Sequence, residues 1–222
     1  LGLANDPRLI QAAKDVMDRR GYGMASVRFI CGTMDIHKQL EAAISDYFKT
    51  EDTILYAACF DANGGLFGSF LTDQDAIISD ALNHASIIDG IRLSTARCIR
   101  FRHNDLVQLE RLLEQHHATF RQLIIVTESI FSMDGDQADL TALVRLKKRY
   151  SNVLLYVDEA HAFGVRGLRG LGCAEETGCI RDIDFLVGTF GKAAASAGAY
   201  IACCRTIREY LVNRMRTLIF TT

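Results

Sequence analysis

At 222 residues, 49% hydrophobic and 23% charged, with one proline and no low-complexity tract, the chain has an ordinary globular composition and the length of one large domain or two small ones. A formal net charge of -2, with both signs interspersed, excludes a broad electrostatic footprint for nucleic acid or an anionic membrane. The seven cysteines form no Cys-x-x-Cys and sit mostly in apolar surroundings, which argues against a disulfide framework and fits reduced thiols in a cytoplasmic protein.

The opening LGLANDPRL has neither the basic-then-apolar pattern of a signal peptide nor an apolar run long enough to span a bilayer. The first predicted helix, 6–21, has Asp6 as cap and Pro7 at the first position, with Leu9, Ala13, Val16 and Met17 at helical spacing and Gly21 as stop. The second, 36–49, places Ile36, Leu40, Ile44 and Phe48 on one face. TILYAAC (53–59) predicts a strand, with Cys59 and Phe60 where it turns into a helix. AIISD (76–80), QLIIVTE (122–128), NVLLYVDE (152–159), DFLVGT (184–189) and GAYIACC (198–204) predict further strands, and helices are predicted at 84–93, 105–116, 139–150 and 206–216. The chain lacks an initiator Met, and its last segment, RTLIFTT, is apolar and β-prone, so it is expected to be part of a longer protein.

Several strands are continuous apolar runs, the pattern of strands covered on both faces, so the expected fold is α/β: a three-layer sandwich with a mainly parallel sheet flanked by helices. In such sheets ligands bind beyond the carboxyl ends of the strands. Polar clusters fall at those ends: Cys59 and Phe60, Glu128 to Ser132, Asp158 to His161, and Thr189 to Lys192.

One of these clusters, Asp158-Glu159-Ala160-His161, spells the acidic box of a nucleic-acid-dependent ATPase. That chemistry also needs Gly-x-x-x-x-Gly-Lys-Ser/Thr to cradle phosphates. The one Gly-Lys, at 191–192, has the wrong glycine spacing, is followed by Ala193 instead of a hydroxyl, and lies after the box. No His-Glu-x-x-His supports a metal hydrolase, and no metal ligand set is assigned; no Gly-x-Gly-x-x-Gly supports a dinucleotide fold. What remains is a set of groups suited to an aldehyde cofactor such as pyridoxal 5'-phosphate (PLP). Such a cofactor needs an amine, a carboxylate for its ring nitrogen, a flat group over the ring and a phosphate cup. Taken singly, Lys192 reads equally as a surface lysine after a glycine turn, and His84 as a histidine at a helix start.

GMASVRFICGT, CFDANGG, DALNHASIIDG, VTESIFSMDGD, VDEAHAFGVRG, GTFGKA and LIFTT run in order over almost the whole chain. Together they resemble the α-oxoamine synthases, PLP enzymes of fold type I that condense an amino acid with an acyl-CoA. The resemblance implies that residues 1–222 form the PLP-binding large domain, without the N-terminal arm and small C-terminal domain of the family. It gives Lys192 the cofactor linkage and the α-proton, Asp158 the pyridine nitrogen, His161 and Ser132 the phenolic oxygen, and His84 the ring face. It gives Cys59, Phe60 and Thr189 the phosphate, while Thr221 and Thr222 reach the phosphate of the adjacent subunit, implying a homodimer with shared sites. Glu159 and Ala160 are then spacers. Arg28, Gly23 and Gly32 fall in a loop that lines the acyl-CoA entrance in the family, or form a structural loop.

The first ninety residues resemble members that join glycine to acetyl-CoA. The rest, which contains Lys192 and Asp158, resembles members that join L-alanine to a pimeloyl thioester in biotin synthesis, and the second reading is preferred. An inactive truncated or regulatory homologue is the reading from another class. Neither nucleic acid nor membrane is expected as a partner.

Overall fold

The computed structural model describes residues 1–221. Its strands are β1 (Asp52–Tyr56), β2 (Ala76–Asp80), β3 (Arg97–Phe101), β4 (Leu123–Glu128), β5 (Val153–Asp158), β6 (Phe185–Thr189) and β7 (Ala199–Cys203). They form one seven-stranded sheet in the order β1-β7-β6-β5-β4-β2-β3. From β3 to β6 the neighbours are parallel, whereas β7 is antiparallel to both β6 and β1. The expected mainly parallel sandwich is therefore the observed one.

The helices are α1 (Pro7–Arg20), α2 (Asp35–Phe48), α3 (Cys59–Phe70), α4 (Ala85–Arg92), α5 (Leu106–His116), α6 (Leu140–Lys147), α7 (Cys173–Glu176), α8 (Arg205–Arg214) and α9 (Arg216–Ile219). Alternate residues of the strands feed two cores. Ile78, Ile125, Leu155 and Leu186 pack with α2, α5, α6 and α7, while Ile77, Ile124, Tyr156 and Phe185 pack with α3, α4, α8 and α9. Pleating sends successive side chains to opposite faces, which is why a central strand must be apolar throughout. Short side chains start several helices: Asp6, Asp105 and Asp139 each accept a backbone N–H of the first turn of α1, α5 and α6.

Four elements depart from the sequence reading. β3 was not expected, because as an edge strand it exposes Arg97, Cys98 and Arg100 and has no continuous apolar run. α1 forms where predicted, yet none of its residues is buried, so its apolar stripe lies open. On α2 only Ile44 and Phe48 of the predicted face are buried. Within RTLIFTT, Arg216–Ile219 form α9 instead of a strand, with Leu218 buried and the Thr217 hydroxyl donating to Asp61 O at 2.7 Å.

Glu159 is not a spacer. It is fully buried directly after β5, where Oε2 accepts from Ser129 Oγ at 2.5 Å and Cys173 N at 3.1 Å, and Oε1 accepts from Ala174 N at 2.7 Å. One carboxylate thus closes the loop between β5 and α7 and joins it to the end of β4. Gly172 approaches so closely that a Cβ there would lie 2.5 Å from Glu159 Oε2. Burial pushes the Glu159 carboxyl up to about 6, the three donors working the other way. Glu159→Gln puts an NH2 among donors and strands at least one buried N–H or O–H, which costs about 1–3 kcal/mol per group. Urea unfolding is expected to show that loss; an unchanged midpoint would contradict the role given to Glu159.

Candidate active site

The parallel strands finish on one edge of the sheet, and β5 delivers Asp158 there. Its side chain is buried, with Oδ1 accepting from Ala160 N at 2.8 Å and Oδ2 from Asn63 Nδ2 at 2.9 Å. The Cys59 thiol lies 3.9 Å from Oδ2, and its pKa is pushed well up by burial and then by the Asp158 charge. β7 returns antiparallel beside β6, so the β6–β7 turn, with Lys192 near its tip, stands at the same edge. This turn is internally tied: Phe190 N bonds Gly198 O, Ser196 N bonds Phe190 O, and Thr189 Oγ1 accepts from Gly191 N and donates to Gly198 O, both at 3.2 Å. Gly198 has φ +107 and lies where a Cβ would be 3.1 Å from Tyr56 O, so a side chain is disfavoured there.

Lys192 Nζ lies 2.6 Å from His161 Nε2. Burial, and then the Lys192 charge, lower the His161 pKa, so the ring stays neutral and offers Nε2 as an acceptor. His84 caps the N-terminus of α4 with its own ring, Nδ1 accepting from Ser86 N at 3.2 Å. Its backbone N–H donates to Glu128 Oε1 at 2.5 Å. Glu128 is paired with Asp158 across β4 and β5. Burial, then the Asp158 charge, push its carboxyl up to about 8. The Lys192 and Asp158 charges both act on His161, Cys59 and Glu128.

Cys59 and Phe60 open α3, whose cap residue Ala58 contributes no side-chain bond, leaving their amides without a capping side chain. Ser132 is exposed on the loop after β4; the serine that reaches across from that strand end is Ser129. Thr189 is occupied within the lysine turn. Thr221 lines a cavity of about 410 Å³ with Met24, Arg28, Tyr56, Phe190 and Gly198, and Thr222 lies outside the described residues. Arg28 is held by Glu41 at 2.7 Å; Glu41 is buried, but Arg28 and Lys38 outweigh that burial and lower its pKa. Gly32 serves the loop itself, since a Cβ would sit 2.3 Å from Ser26 O, whereas Gly23 has open space around it.

Lys192, Asp158, His161 and His84 are thus brought together with the uncapped start of α3. The donor set fits PLP: an amine, a buried carboxylate with both oxygens anchored, a flat ring and backbone amides at a helix start without a capping side chain. Asn63, Ser86 and Glu128 belong to the same cluster, although only Glu128 stood at a strand end flagged by the sequence. Among the described residues there is no group of three or more His, Cys, Asp or Glu placed to hold a metal, and no helix is long and apolar enough to cross a membrane.

Over residues 1–222 the chain matches the family model described as aminotransferase class I and II. It is 51% identical over 223 residues to a Glaesserella parasuis protein named "Putative 8-amino-7-oxononanoate synthase", covering 100% of this chain and 59% of that one. It is 49% identical over 223 residues to the 2-amino-3-ketobutyrate coenzyme A ligase of Salmonella typhimurium, covering 100% of this chain and 56% of that one. Among solved structures, a variant serine palmitoyltransferase from S. paucimobilis with a bound PLP-myriocin aldimine superposes with a TM-score of 0.92 at 32% identity, covering 99% of this chain and 55% of that one. The chain therefore spans little more than half the length of the proteins it matches.

Glu128 titrates in the fold near 8 and in the unfolded chain near 4.5, so between those values the folded state holds a proton the unfolded state has lost. Its contribution to stability therefore falls as pH rises through that window. Glu128→Gln keeps the acceptor for His84 N–H but removes the titration. Unfolding free energies from pH 5 to 8 are expected to fall less steeply in the variant than in the parent; parallel slopes would contradict the buried, proton-holding Glu128.

Proposed function

Since the chain belongs to the aminotransferase class I and II family, we propose that it is the large domain of a PLP-dependent acyltransferase of the α-oxoamine synthase kind. The reaction joins a small amino acid to an acyl thioester and releases coenzyme A. The observation that carries the proposal is the contact of Lys192 Nζ with His161 Nε2 on the loop directly after the buried carboxyl of Asp158, whose two oxygens are anchored by Asn63 and the Ala160 amide. When bound, PLP supplies an aldehyde for amine capture and a ring that takes up the electron pair of a deprotonated α-carbon.

The residues of the chain divide the remaining work. Lys192 Nζ is the amine that holds the aldehyde and the base that moves the α-proton, and neutral His161 receives a hydrogen bond from it through Nε2. Asp158 provides negative charge at the pyridine nitrogen, kept in place by Asn63 and the Ala160 amide. His84 would hold the ring face, and the Cys59 and Phe60 amides at the positive end of α3 would hold the phosphate. Ser132 and Thr189 remain proposed partners of the phenolic oxygen and the phosphate, Thr189 after turning out of its bond to Gly198 O.

The protein acts as a homodimer in which Thr221 and Thr222 reach the neighbouring subunit's site. Leu9, Ile10, Met17, Tyr22, Phe29 and Ile30 support this, being exposed apolar groups gathered in the N-terminal segment that a second copy would cover. For substrates, L-alanine and a pimeloyl thioester are preferred, because the half that carries Lys192 and Asp158 is similar to enzymes using that pair. Glycine with acetyl-CoA is the second reading, favoured by GMASVRFICGT and CFDANGG in the first half.

Release of coenzyme A by the PLP-loaded protein decides between them. It is expected with L-alanine and pimeloyl-CoA; release with glycine and acetyl-CoA alone would overturn the substrate choice. A protein that binds PLP but releases coenzyme A with neither pair would contradict the acyltransferase reading for this chain.

A further inference from the structure

Asn63 is fully buried on α3 and spends its whole amide on three partners. Its Nδ2 donates to Asp158 Oδ2 at 2.9 Å and to Ser86 Oγ at 3.0 Å, while its Oδ1 accepts from the Tyr156 hydroxyl. The amide cannot be turned over, because its oxygen would then face a carboxylate that only accepts. Ser86, also buried, lies 2.7 Å through its Oγ from His84 Nδ1. Having accepted from Asn63, the Ser86 hydroxyl has its one proton free for that nitrogen. The Ser86 backbone N–H, which can only donate, points to the same Nδ1 at 3.2 Å. A ring nitrogen that receives two donors carries no proton, so the proton of His84 sits on Nε2.

We infer that Asn63 and Ser86 are positioning residues that hold His84 as its Nε2–H tautomer and join it to Asp158 through one hydrogen-bonded chain. The helix spacing is built for this: a Cβ on Gly90 of α4 would lie 2.4 Å from Asn63 O, so the two helices meet at a distance that only glycine permits. Glu128 fixes the same histidine from the other side through its backbone N–H. His84 therefore carries its hydrogen-bond donor on Nε2, the nitrogen outside this chain, and a single asparagine sets both that donor and the carboxyl proposed for the pyridine nitrogen. The consequence for catalysis rests on the PLP reading; the tautomer does not.

The test reads the tautomer without cofactor, from long-range proton–nitrogen spectra of His84 in the apo protein. The parent and Ser86→Thr are expected to show Nδ1 unprotonated and Nε2 protonated, while Ser86→Ala, with only the weaker backbone donor left, mixes the tautomers. In the PLP-loaded protein, Ser86→Ala is expected to lower kcat roughly tenfold with an unchanged visible band, Ser86→Thr to restore it, and Asn63→Ala to shift the band as well, one net hydrogen bond being worth about that factor. A parent His84 with its proton on Nδ1, or one whose tautomer is the same in Ser86→Ala and Asn63→Ala as in the parent, would overturn the inference. A protein that takes up no PLP while His84 behaves as stated would instead overturn the PLP reading alone.

Discussion

Everything at this edge of the sheet depends on keeping one carboxyl, that of Asp158, inside an apolar layer. A buried carboxylate without donors is costly, of the order of several kcal/mol, so the fold must bring hydrogen-bond donors to it. The Ala160 amide does this locally, because the chain turns directly after β5. Asn63 does it from another helix, and its position fixes how closely α3 and α4 pack. The neighbouring carboxyl of Glu128 gives way by holding its proton near neutral pH, as expected where two acids share a buried strand end.

Topology supplies the rest. Parallel strands end together, so β4 and β5 bring Glu128 and Asp158 side by side. The reversal at β7 places the β6–β7 turn, and Lys192 with it, at that same end without a crossover helix in the way. A wholly parallel sheet would have sent the chain after β6 into a helix on one face. The glycines and the inward bonds of Thr189 then hold the turn in a shape that presents the lysine, and Glu159 closes the loop that carries His161 toward it.

Much of this was legible in the sequence because it is written locally. Apolar runs marked six of the strands, and Asp6 stood before a periodic segment as a cap, a role the structure gives Asp105 and Asp139 as well. Asp158, Lys192, His161 and His84 stood at strand ends or helix starts in a family order. The edge strand β3 was illegible because half-exposed strands alternate with arginines, and α1 was legible as a helix although its apolar stripe does not state what covers it. Glu159 was misjudged as a spacer because its three donors come from positions 129, 173 and 174. Asn63 and Ser86 escaped for the same reason: their partners are set by helix packing, which no spacing along the chain encodes.

The account stands most directly on which lysine meets the cofactor. Borohydride reduction of the protein incubated with PLP, followed by peptide mapping, is predicted to place the pyridoxyl group on Lys192 alone, and Asp158→Ala is predicted to weaken that labelling. Labelling spread over Lys14, Lys38, Lys49, Lys147 or Lys148, with Lys192 unmodified, would contradict it.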